Sequence, residues 1–304
     1  MNDFEYLEPA TVAEACAMLK RYGGEARPYA GGAYLSIVMK QGLIRPKALV
    51  NIKKIQELKG IRFDPSEGFV IGALATHREL ETSRLIREKL PILCAVEREV
   101  ANIRVRNVGT VGGNLASGEP LTDLAQVFLA LDARAAISGP SGDRTIPLEE
   151  LFVDLYQTSL GEEEILTRVI LPPPPPATGI EYIRFSSSSV VDKPCVGVAV
   201  RISLNADRKT CGTVRIALGC VAPRPMRAQG AEALLTGHPL SPQLVEQAAA
   251  AAAEECSPIS DLRGSERFKR GIVRVLVRRA MAVAYDRASH ASTLRLRSGQ
   301  AGSA

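Results

Sequence analysis

The stretch Asn107–Asp123, NVGTVGGNLASGEPLTD, holds four glycines and lies between two apolar patterns of helical period. Glycine costs about 0.5–1 kcal/mol relative to alanine inside regular structure. A cluster of this kind marks a place where the main chain must come close to something. The sequence therefore predicts a flexible, polar loop here, whose role depends on another group coming close to its main chain.

A second glycine pair occurs in Pro28–Leu35, PYAGGAYL. We call Pro28–Leu35 the first glycine segment and Thr110–Asn114, TVGGN, the second glycine segment. In a sharp turn, successive main-chain N–H groups can converge on phosphate oxygens, and the missing Cβ lets the phosphate approach. Neither segment has the Lys-Ser or Lys-Thr of a Walker loop, and neither fits G-x-G-x-x-G. A tight turn explains either pair alone, but two pairs in one domain favour a phosphate cradle.

Asp123 follows the second glycine segment, nine residues after Asn114. It stands where the next helix is predicted to begin, so it could be the N-cap of that helix. It could equally accept hydrogen bonds from ribose hydroxyls, as acidic residues do in other nucleotide sites. The spacing alone leaves both roles open.

The composition is that of an ordinary globular protein of 304 residues, and this length predicts two domains. No apolar run approaches the about 20 residues that a membrane helix needs. The acidic start MNDFEYLEPA lacks a signal pattern, so a cytoplasmic location is expected. Much of the net charge of +5 lies in 267–279 and in the tail. With one aromatic residue in that stretch, a solvated face or an acidic partner subunit is favoured over nucleic acid.

The six cysteines form no C-x-x-C pair, and only three histidines are present. Reduced, mostly buried thiols are the expected state, and no metal site is predicted. The spaced cysteines of an iron–sulfur cluster are missing, which argues against a cluster on this chain. No catalytic acid–base pair is predicted, and His77, beside a helix cap, is expected to be structural.

The pattern along the chain changes at five consecutive prolines, Pro172 to Pro176. Such a run is an extended, fairly stiff spacer. Capping boxes predict helices after Thr11 and Thr76. Beyond the prolines, alternating apolar residues in 196–204 and 214–220 predict an antiparallel pair of half-buried strands, followed by helices. The predicted domains are 1–176, with lobes of about 1–55 and 56–171, and 177–287; the tail 288–304 is expected to be disordered.

The motifs AGGAYL, IGALAT and VGTVGGNLASGEPLTDLAQVFLALDA resemble FAD-binding medium subunits of the xanthine dehydrogenase and aerobic carbon monoxide dehydrogenase family, the molybdenum hydroxylases. SDLRGSERFKRGIVRVLVRRAM is similar to the end of the family's C-terminal domain. The resemblance covers about residues 1–285. It implies an α+β fold: a two-part FAD-binding domain (PCMH-type, vanillyl-alcohol-oxidase-like), then a small antiparallel sheet with helices, like the carbon monoxide dehydrogenase flavoprotein C-terminal domain.

The resemblance implies FAD as the cofactor and assigns its contacts by position. Both glycine segments would hold the pyrophosphate, Asp123 would contact FAD, and Leu166 would pack near the flavin ring. Arg184 stands where the family usually has a lysine near the isoalloxazine, and its permanent charge would stabilise the reduced flavin. The implied cofactor-binding residues are Pro28, Tyr29, Ala30, Gly31, Gly32, Ala33, Tyr34, Leu35, Thr76, Thr110, Val111, Gly112, Gly113, Asn114, Asp123, Leu166 and Arg184.

Two stretches depart from the family pattern. Gly32-Ala33 lacks a hydroxyl donor that often follows the first glycine, so main-chain donors would hold the phosphate there. Ser188 and Ser189, within Ser186–Ser189, stand where basic residues are common. Their replacement by serine could change how the electron-rich end of the flavin, or NAD, is bound; the alternative is a flexible segment whose sequence is weakly determined.

The resemblance also implies that the chain is one subunit of a complex. The partners would be a small subunit with two [2Fe-2S] clusters and a large subunit with the molybdenum–pterin cofactor, in a dimer of heterotrimers. Electrons would pass through FAD to NAD, quinone, ferredoxin or oxygen. Two alternatives are a stand-alone FAD reductase, disfavoured by the alternating strands and DLRGSERFKR, and a non-redox assembly subunit without FAD, disfavoured by both glycine segments.

Overall fold

The computed structural model describes residues 3–187, 189 and 192–291. The chain begins with a three-stranded parallel sheet, ordered β1-β3-β2. Helix α1 packs on this sheet; it begins after Thr11, whose hydroxyl accepts the Glu14 N–H, and ends at Gly23 in the left-handed conformation. The Glu14 carboxylate accepts the N–H of Ala10, so the predicted capping box is only half formed. The elements are β1 (Glu5–Leu7), α1 (Val12–Tyr22), β2 (Ala26–Tyr29), α2 (Leu35–Lys40) and β3 (Ala48–Asn51).

A five-stranded antiparallel sheet follows, in the order β4-β5-β10-β6-β7. Its two hairpins, β4-β5 and β6-β7, form at the Asp-Pro-Ser-Glu-Gly and Gly-Pro-Ser-Gly turns, where apolar strands flank turn-forming residues. Strand β10 pairs with both β5 and β6 and so completes the sheet from late in the domain. The strands are β4 (Ile61–Asp64), β5 (Gly68–Gly72), β6 (Arg134–Gly139), β7 (Gly142–Pro147) and β10 (Ile165–Leu171).

Six short helices connect β5 to β6, and a two-stranded ribbon, β8-β9, precedes β10. The capping box predicted at Thr76 and Glu79 is present in full. Pro91 opens its helix at the first turn, where its missing N–H costs nothing. The elements are α3 (His77–Thr82), α4 (Arg84–Lys89), α5 (Pro91–Glu99), α6 (Ile103–Val108), α7 (Val111–Ala116), α8 (Leu124–Ala130), β8 (Phe152–Asp154) and β9 (Gln157–Thr158).

The part after the prolines is a four-stranded antiparallel sheet, β11-β12-β13-β14, with three helices. The antiparallel pair is confirmed, but the prediction of half-buried strands is wrong for β12, because α11 covers one face and α8 the other. Helix α11 reaches His290, so 288–290 are helical and 292–304 lie outside the described residues. The elements are β11 (Thr178–Phe185), β12 (Val196–Leu204), β13 (Cys211–Gly219), β14 (Met226–Arg227), α9 (Gln229–Leu235), α10 (Pro242–Glu255) and α11 (Glu266–His290).

The hydrophobic core of the first domain extends into the second. Tyr182, Ala199 and Ala217, all from the C-terminal sheet, belong to the same buried cluster as Phe128 of α8. A separate cluster fills the space between that sheet and α10 and α11. All six cysteines are free and buried, as expected. Among the described residues, no helix combines the length and apolar character needed to cross a membrane.

Candidate functional site

The first glycine segment begins where β2 ends, at the carboxyl edge of the parallel sheet. In open parallel sheets, ligands bind in the crevice outside the carboxyl ends of the strands, which is this edge. Within the described part of the chain, the main-chain N–H groups of Gly31, Gly32, Ala33 and Tyr34 donate to no acceptor. Three of these donors lie at half-buried positions and the fourth, on Tyr34, at an exposed one. Consecutive unpaired N–H groups of this kind can bind an anion.

Glycine is required at both positions of the pair in this segment. A Cβ on Gly31 would lie 1.9 Å from the carbonyl oxygen of Val108, and one on Gly32 would lie 2.6 Å from the ring of Tyr29. Gly32 also has a φ of +69°, which favours glycine. These close approaches within the chain fix the turn of the first glycine segment, and the approach of a phosphate to it stays a prediction.

The second glycine segment differs from the predicted flexible loop. Thr110 is the N-cap of a six-residue helix, α7, which contains both glycines. Its N–H groups are already used within the chain: Val111 donates to Ala75, Gly112 to Ala73, and Gly113 to the Thr110 hydroxyl. Asn114 donates to the Thr110 carbonyl in the same way. Since these donors are taken by the fold, the predicted second row of free N–H groups is not present.

The two glycines of α7 have different surroundings. A Cβ on Gly112 would lie 2.5 Å from the Cβ of Ala73, so Gly112 lets the helix pack on the chain after β5. Gly113 is exposed, and a Cβ there would meet only the Thr110 hydroxyl, at 2.9 Å. The side-chain oxygen of Asn114 is buried and has no hydrogen-bond partner among the described residues. An unpaired acceptor beside an exposed glycine is what a hydrogen-bonding ligand would complete.

The two segments are neighbours in the fold. Thr76 and Thr110 form an isolated antiparallel bridge, and the N–H of His77 donates to the carbonyl of Gly109 at 3.0 Å. Gly31 lies against Val108, directly before this bridge. The structure therefore brings Thr76, the first segment and the second segment together.

His77 is buried beneath this bridge and belongs to the interior. Its Nδ1 lies 2.8 Å from a carboxylate oxygen of Glu97, which is fully buried. Burial raises the pKa of Glu97, with His77 opposing that shift. The pair ties α3 to α5, in agreement with the expected structural role of His77.

Asp123 sits at the N-cap position of α8, but its side chain caps no N–H of the helix. Instead the carboxylate accepts the hydroxyl of Tyr182 at 2.7 Å and lies 3.4 Å from a guanidinium nitrogen of Arg184. The capping role left open by the sequence is therefore ruled out. Burial raises the pKa of Asp123 to about 6, while Arg184 and Tyr182 act in the opposite direction.

Arg184 lies beside Asp123, and its guanidinium is fixed by several hydrogen bonds. It donates to the carbonyl of Glu99 at 2.8 Å, to the hydroxyl of Ser186 at 2.9 Å, and to the carbonyl of Asp192. The side chain is 7% exposed. These bonds leave the guanidinium few free donors, so any effect on a ligand is chiefly through its charge.

Leu166 is buried in the first domain's core, on β10, next to a bulge before Arg168. The remaining predicted residues lie in the elements that bear the two glycine segments. Ser188 lies outside the described residues, so the proposed effect of the serines at 186–189 stays a prediction.

Sequence reasoning missed three residues grouped beside the predicted Tyr34, namely Tyr156, Glu119 and Lys193. Tyr34 of the first glycine segment stacks on Tyr156, with ring centroids 6.2 Å apart and planes at 11°. Tyr156 has a φ of +57°, an uncommon conformation for an aromatic residue, and its hydroxyl donates to the buried carboxylate of Glu119. Lys193 pairs with the same carboxylate. The only sequence signal was the tyrosine after the glycine pair.

These residues suit an anionic, hydrogen-bonding ligand. The free N–H groups of the first segment fit a phosphate group, and Gly113 of the neighbouring second segment is exposed. Asn114 offers an unpaired acceptor and Asp123 a buried carboxylate nearby in the chain. A dinucleotide combines these features, and FAD is a ligand of this class.

Comparison with known families decides the relationship. Residues 2–174 match the family described as the FAD binding domain in molybdopterin dehydrogenase, and residues 181–284 match the CO dehydrogenase flavoprotein C-terminal domain. The chain belongs to the FAD-binding subunits of the molybdopterin dehydrogenases. The family, fold class, oxidoreductase class and FAD cofactor predicted for this medium subunit are thereby confirmed.

Individual relatives agree with this assignment. The medium chain of carbon monoxide dehydrogenase from Hydrogenophaga pseudoflava is 35% identical over 284 residues, which are 93% of this chain and 98% of that one. A xanthine dehydrogenase FAD-binding subunit from Escherichia coli is 29% identical over 286 residues, 93% of this subunit and 97% of that one. A solved carbon monoxide dehydrogenase structure from Hydrogenophaga pseudoflava superposes with a TM-score of 0.90 at 35% identity, covering 94% and 98%.

Proposed function

We propose that this medium subunit binds one FAD across its two glycine segments and passes electrons through it to an external acceptor. The observation that carries the proposal is the row of four unpaired N–H groups at Gly31–Tyr34, set against the second segment. Main-chain donors of this kind can hold a diphosphate without a lysine motif. When bound, FAD supplies the electron-transfer chemistry.

The chain's own residues bind and orient the cofactor in this proposal. Gly31–Tyr34 hold the diphosphate, and Gly113 and Asn114 lie beside it. Asp123, at the start of α8, and Arg184, on β11, form a fixed, buried charge pair. Because the guanidinium of Arg184 is always positively charged, it favours negative charge on a ligand bound near it. Leu166, which is buried on β10, is proposed to pack near the flavin ring.

The proposed partners are a small subunit with two [2Fe-2S] clusters and a large subunit with the molybdenum–pterin cofactor. Relatives named as medium chains support this, since a medium chain implies smaller and larger ones. The acceptor would be NAD, quinone, ferredoxin or oxygen, and the complex would be a dimer of heterotrimers in the cytoplasm. We propose 172–176 as the boundary between the two domains, which the matched ranges 2–174 and 181–284 support.

The test is the visible spectrum of the purified full chain, isolated both alone and in its native assembly. Flavin absorption near ~450 nm, with FAD released on denaturation at about one per chain, is the expected result. Bleaching of that absorption when the complex receives its substrate would establish electron transfer through this subunit.

A colourless protein that takes up no added FAD in either state would overturn the proposal and leave a non-redox assembly role. Turnover by the isolated chain without partner subunits would instead favour a stand-alone reductase. Asp123 is poorly placed to donate a proton in such a reaction, because its carboxylate is enclosed by Tyr182 and Arg184.

A further inference from the structure

Lys53 lies at the same edge of the parallel sheet as the first glycine segment. Strands β2 and β3 are parallel neighbours, so the residues after Tyr29 and after Asn51 leave the sheet side by side. The ammonium of Lys53 lies 4.4 Å from the ring centroid of Tyr29. The edge of that same ring lies against Gly32, where a Cβ would come within 2.6 Å of it. The ring of Tyr29 thus contacts both the Lys53 ammonium and the glycine segment that carries the free N–H groups.

The main chain around Lys53 is fixed before any ligand binds. Ile52–Lys54 form a single 3-10 turn, and the buried side chain of Asn51 accepts the N–H of Lys53 at 3.3 Å. The amide of Asn51 in turn donates to Glu8 at 2.9 Å. Because the turn and the ring together restrict the side chain, less freedom is lost when its ammonium meets an anion.

The neighbouring lysine is in a different electrostatic state. Lys54 pairs with Glu8, its ammonium 2.9 Å from the carboxylate. Lys53 has no ion pair with any carboxylate of the described residues and rests on an aromatic face instead. The two adjacent lysines carry the same charge, but only Lys53, over the ring of Tyr29, is not paired with a carboxylate of the described residues.

A diphosphate brings negative charge to a site whose four donors are neutral N–H groups. Charge-assisted contacts to phosphate are stronger than neutral ones, and lysine is a common phosphate partner. We propose that Lys53 is the counter-charge for the diphosphate at the first glycine segment, with the ring of Tyr29 holding its ammonium in position. This inference rests on the proposed function, because it takes FAD as the ligand.

The experiment compares Lys53→Gln and Lys53→Met with Lys54→Gln in the full chain within its native assembly. Each variant removes one positive charge, and Lys53→Met keeps an apolar stem against Tyr29. The dissociation constants of FAD and of riboflavin, which lacks phosphate, are measured at about 0.05 M and about 0.5 M salt. Unfolding midpoints of the apoproteins check that the variants fold.

Both Lys53 variants are expected to weaken FAD binding by about two- to fivefold at low salt, with a smaller effect at high salt. Lys54→Gln and all riboflavin affinities are expected to stay within the error of the wild type. Equal FAD affinities for Lys53→Gln and wild type, or an equal loss in Lys54→Gln, would overturn the inference alone. Absence of FAD binding by the wild type would overturn the proposed function and this inference with it.

Discussion

Gly31 of the first glycine segment lies directly against the carbonyl oxygen of Val108, the residue two before the second segment. A Cβ at position 31 would come within 1.9 Å of that oxygen. The two segments can therefore touch only because position 31 has no side chain, and any residue larger than glycine must push them apart.

Replacing Gly31 with alanine tests this contact. We expect Gly31→Ala to lower the free energy of unfolding by about 1–3 kcal/mol, because the crowded main chain must shift. FAD affinity should fall as well, since the cradle moves relative to α7. Chemical unfolding and equilibrium flavin binding measure the two effects. Gly271→Ala is the control: nothing lies within 4 Å of the added Cβ, and helix propensity predicts up to about 1 kcal/mol of added stability.

Gly113→Val separates ligand binding from folding. The position is exposed and a Cβ there would meet only the Thr110 hydroxyl, so we expect a folded protein with greatly reduced FAD content. Gly112→Ala is the counterpart, since its Cβ would meet Ala73 inside the fold and should chiefly reduce stability. Bound flavin per chain and the unfolding midpoint distinguish the two. Full flavin occupancy in Gly113→Val would show that the ligand does not pass this surface.

Asp132 links the two domains electrostatically. Its carboxylate accepts from Arg201, whose side chain is 4% exposed, and from Arg215 at 2.7 Å. Asp132→Asn keeps the shape and suits the residue's φ of +53°, but leaves Arg201 without a carboxylate. We expect a loss of about 2–3 kcal/mol in the free energy of unfolding, measured with denaturant.

Glu246→Gln provides the control for this change. Glu246 also joins two arginines, Arg274 and Arg278, but on the surface of α10 and α11, where ion pairs contribute little. Its replacement should alter stability by less than about 1 kcal/mol. A similar loss in both variants would contradict a special role for Asp132 between the domains.

Asp123 should make stability depend on pH in a defined direction. Its pKa of about 6 in the folded protein lies above the ordinary value of 3.8. The folded state therefore binds the proton more tightly, so this group favours folding below about pH 4 and loses that contribution as pH rises through about 6. Relative to Asp123→Asn, the flavin-free wild type should lose about 3 kcal/mol over the whole titration, of which about 1 kcal/mol falls between pH 5 and pH 7. Denaturant unfolding of both proteins at pH 5 and pH 7 measures the difference, and parallel profiles would contradict the assignment.

Local signals in the sequence predicted much of the fold. Thr76 and Glu79 form the predicted capping box, and Gly23 ends α1, because these features depend on a few adjacent residues. The hairpins formed for the same reason. The burial of β12 on both faces was not predictable, since it depends on α8 packing from a distant part of the chain.

The candidate site divides in the same way. The first glycine segment was recognisable because its glycines lie next to one another, whereas the helical state of the second depends on acceptors at Ala73 and Ala75. The partners of Asp123 lie 59 and 61 residues away, at Tyr182 and Arg184. Spacing along the chain gives no measure of such contacts, so the capping role could be ruled out only from the fold, and the ligand contact of Asp123 stays a prediction.

The sharing of one core across the proline run bears on how this chain could have been assembled. Tyr182, Ala199 and Ala217 complete the packing around Phe128, so neither half buries its apolar surface alone. The halves should consequently unfold as a single cooperative unit. They are not interchangeable modules. A C-terminal domain transplanted from a relative would need residues complementary to α8, and without them the apolar interface between the two domains would be poorly packed.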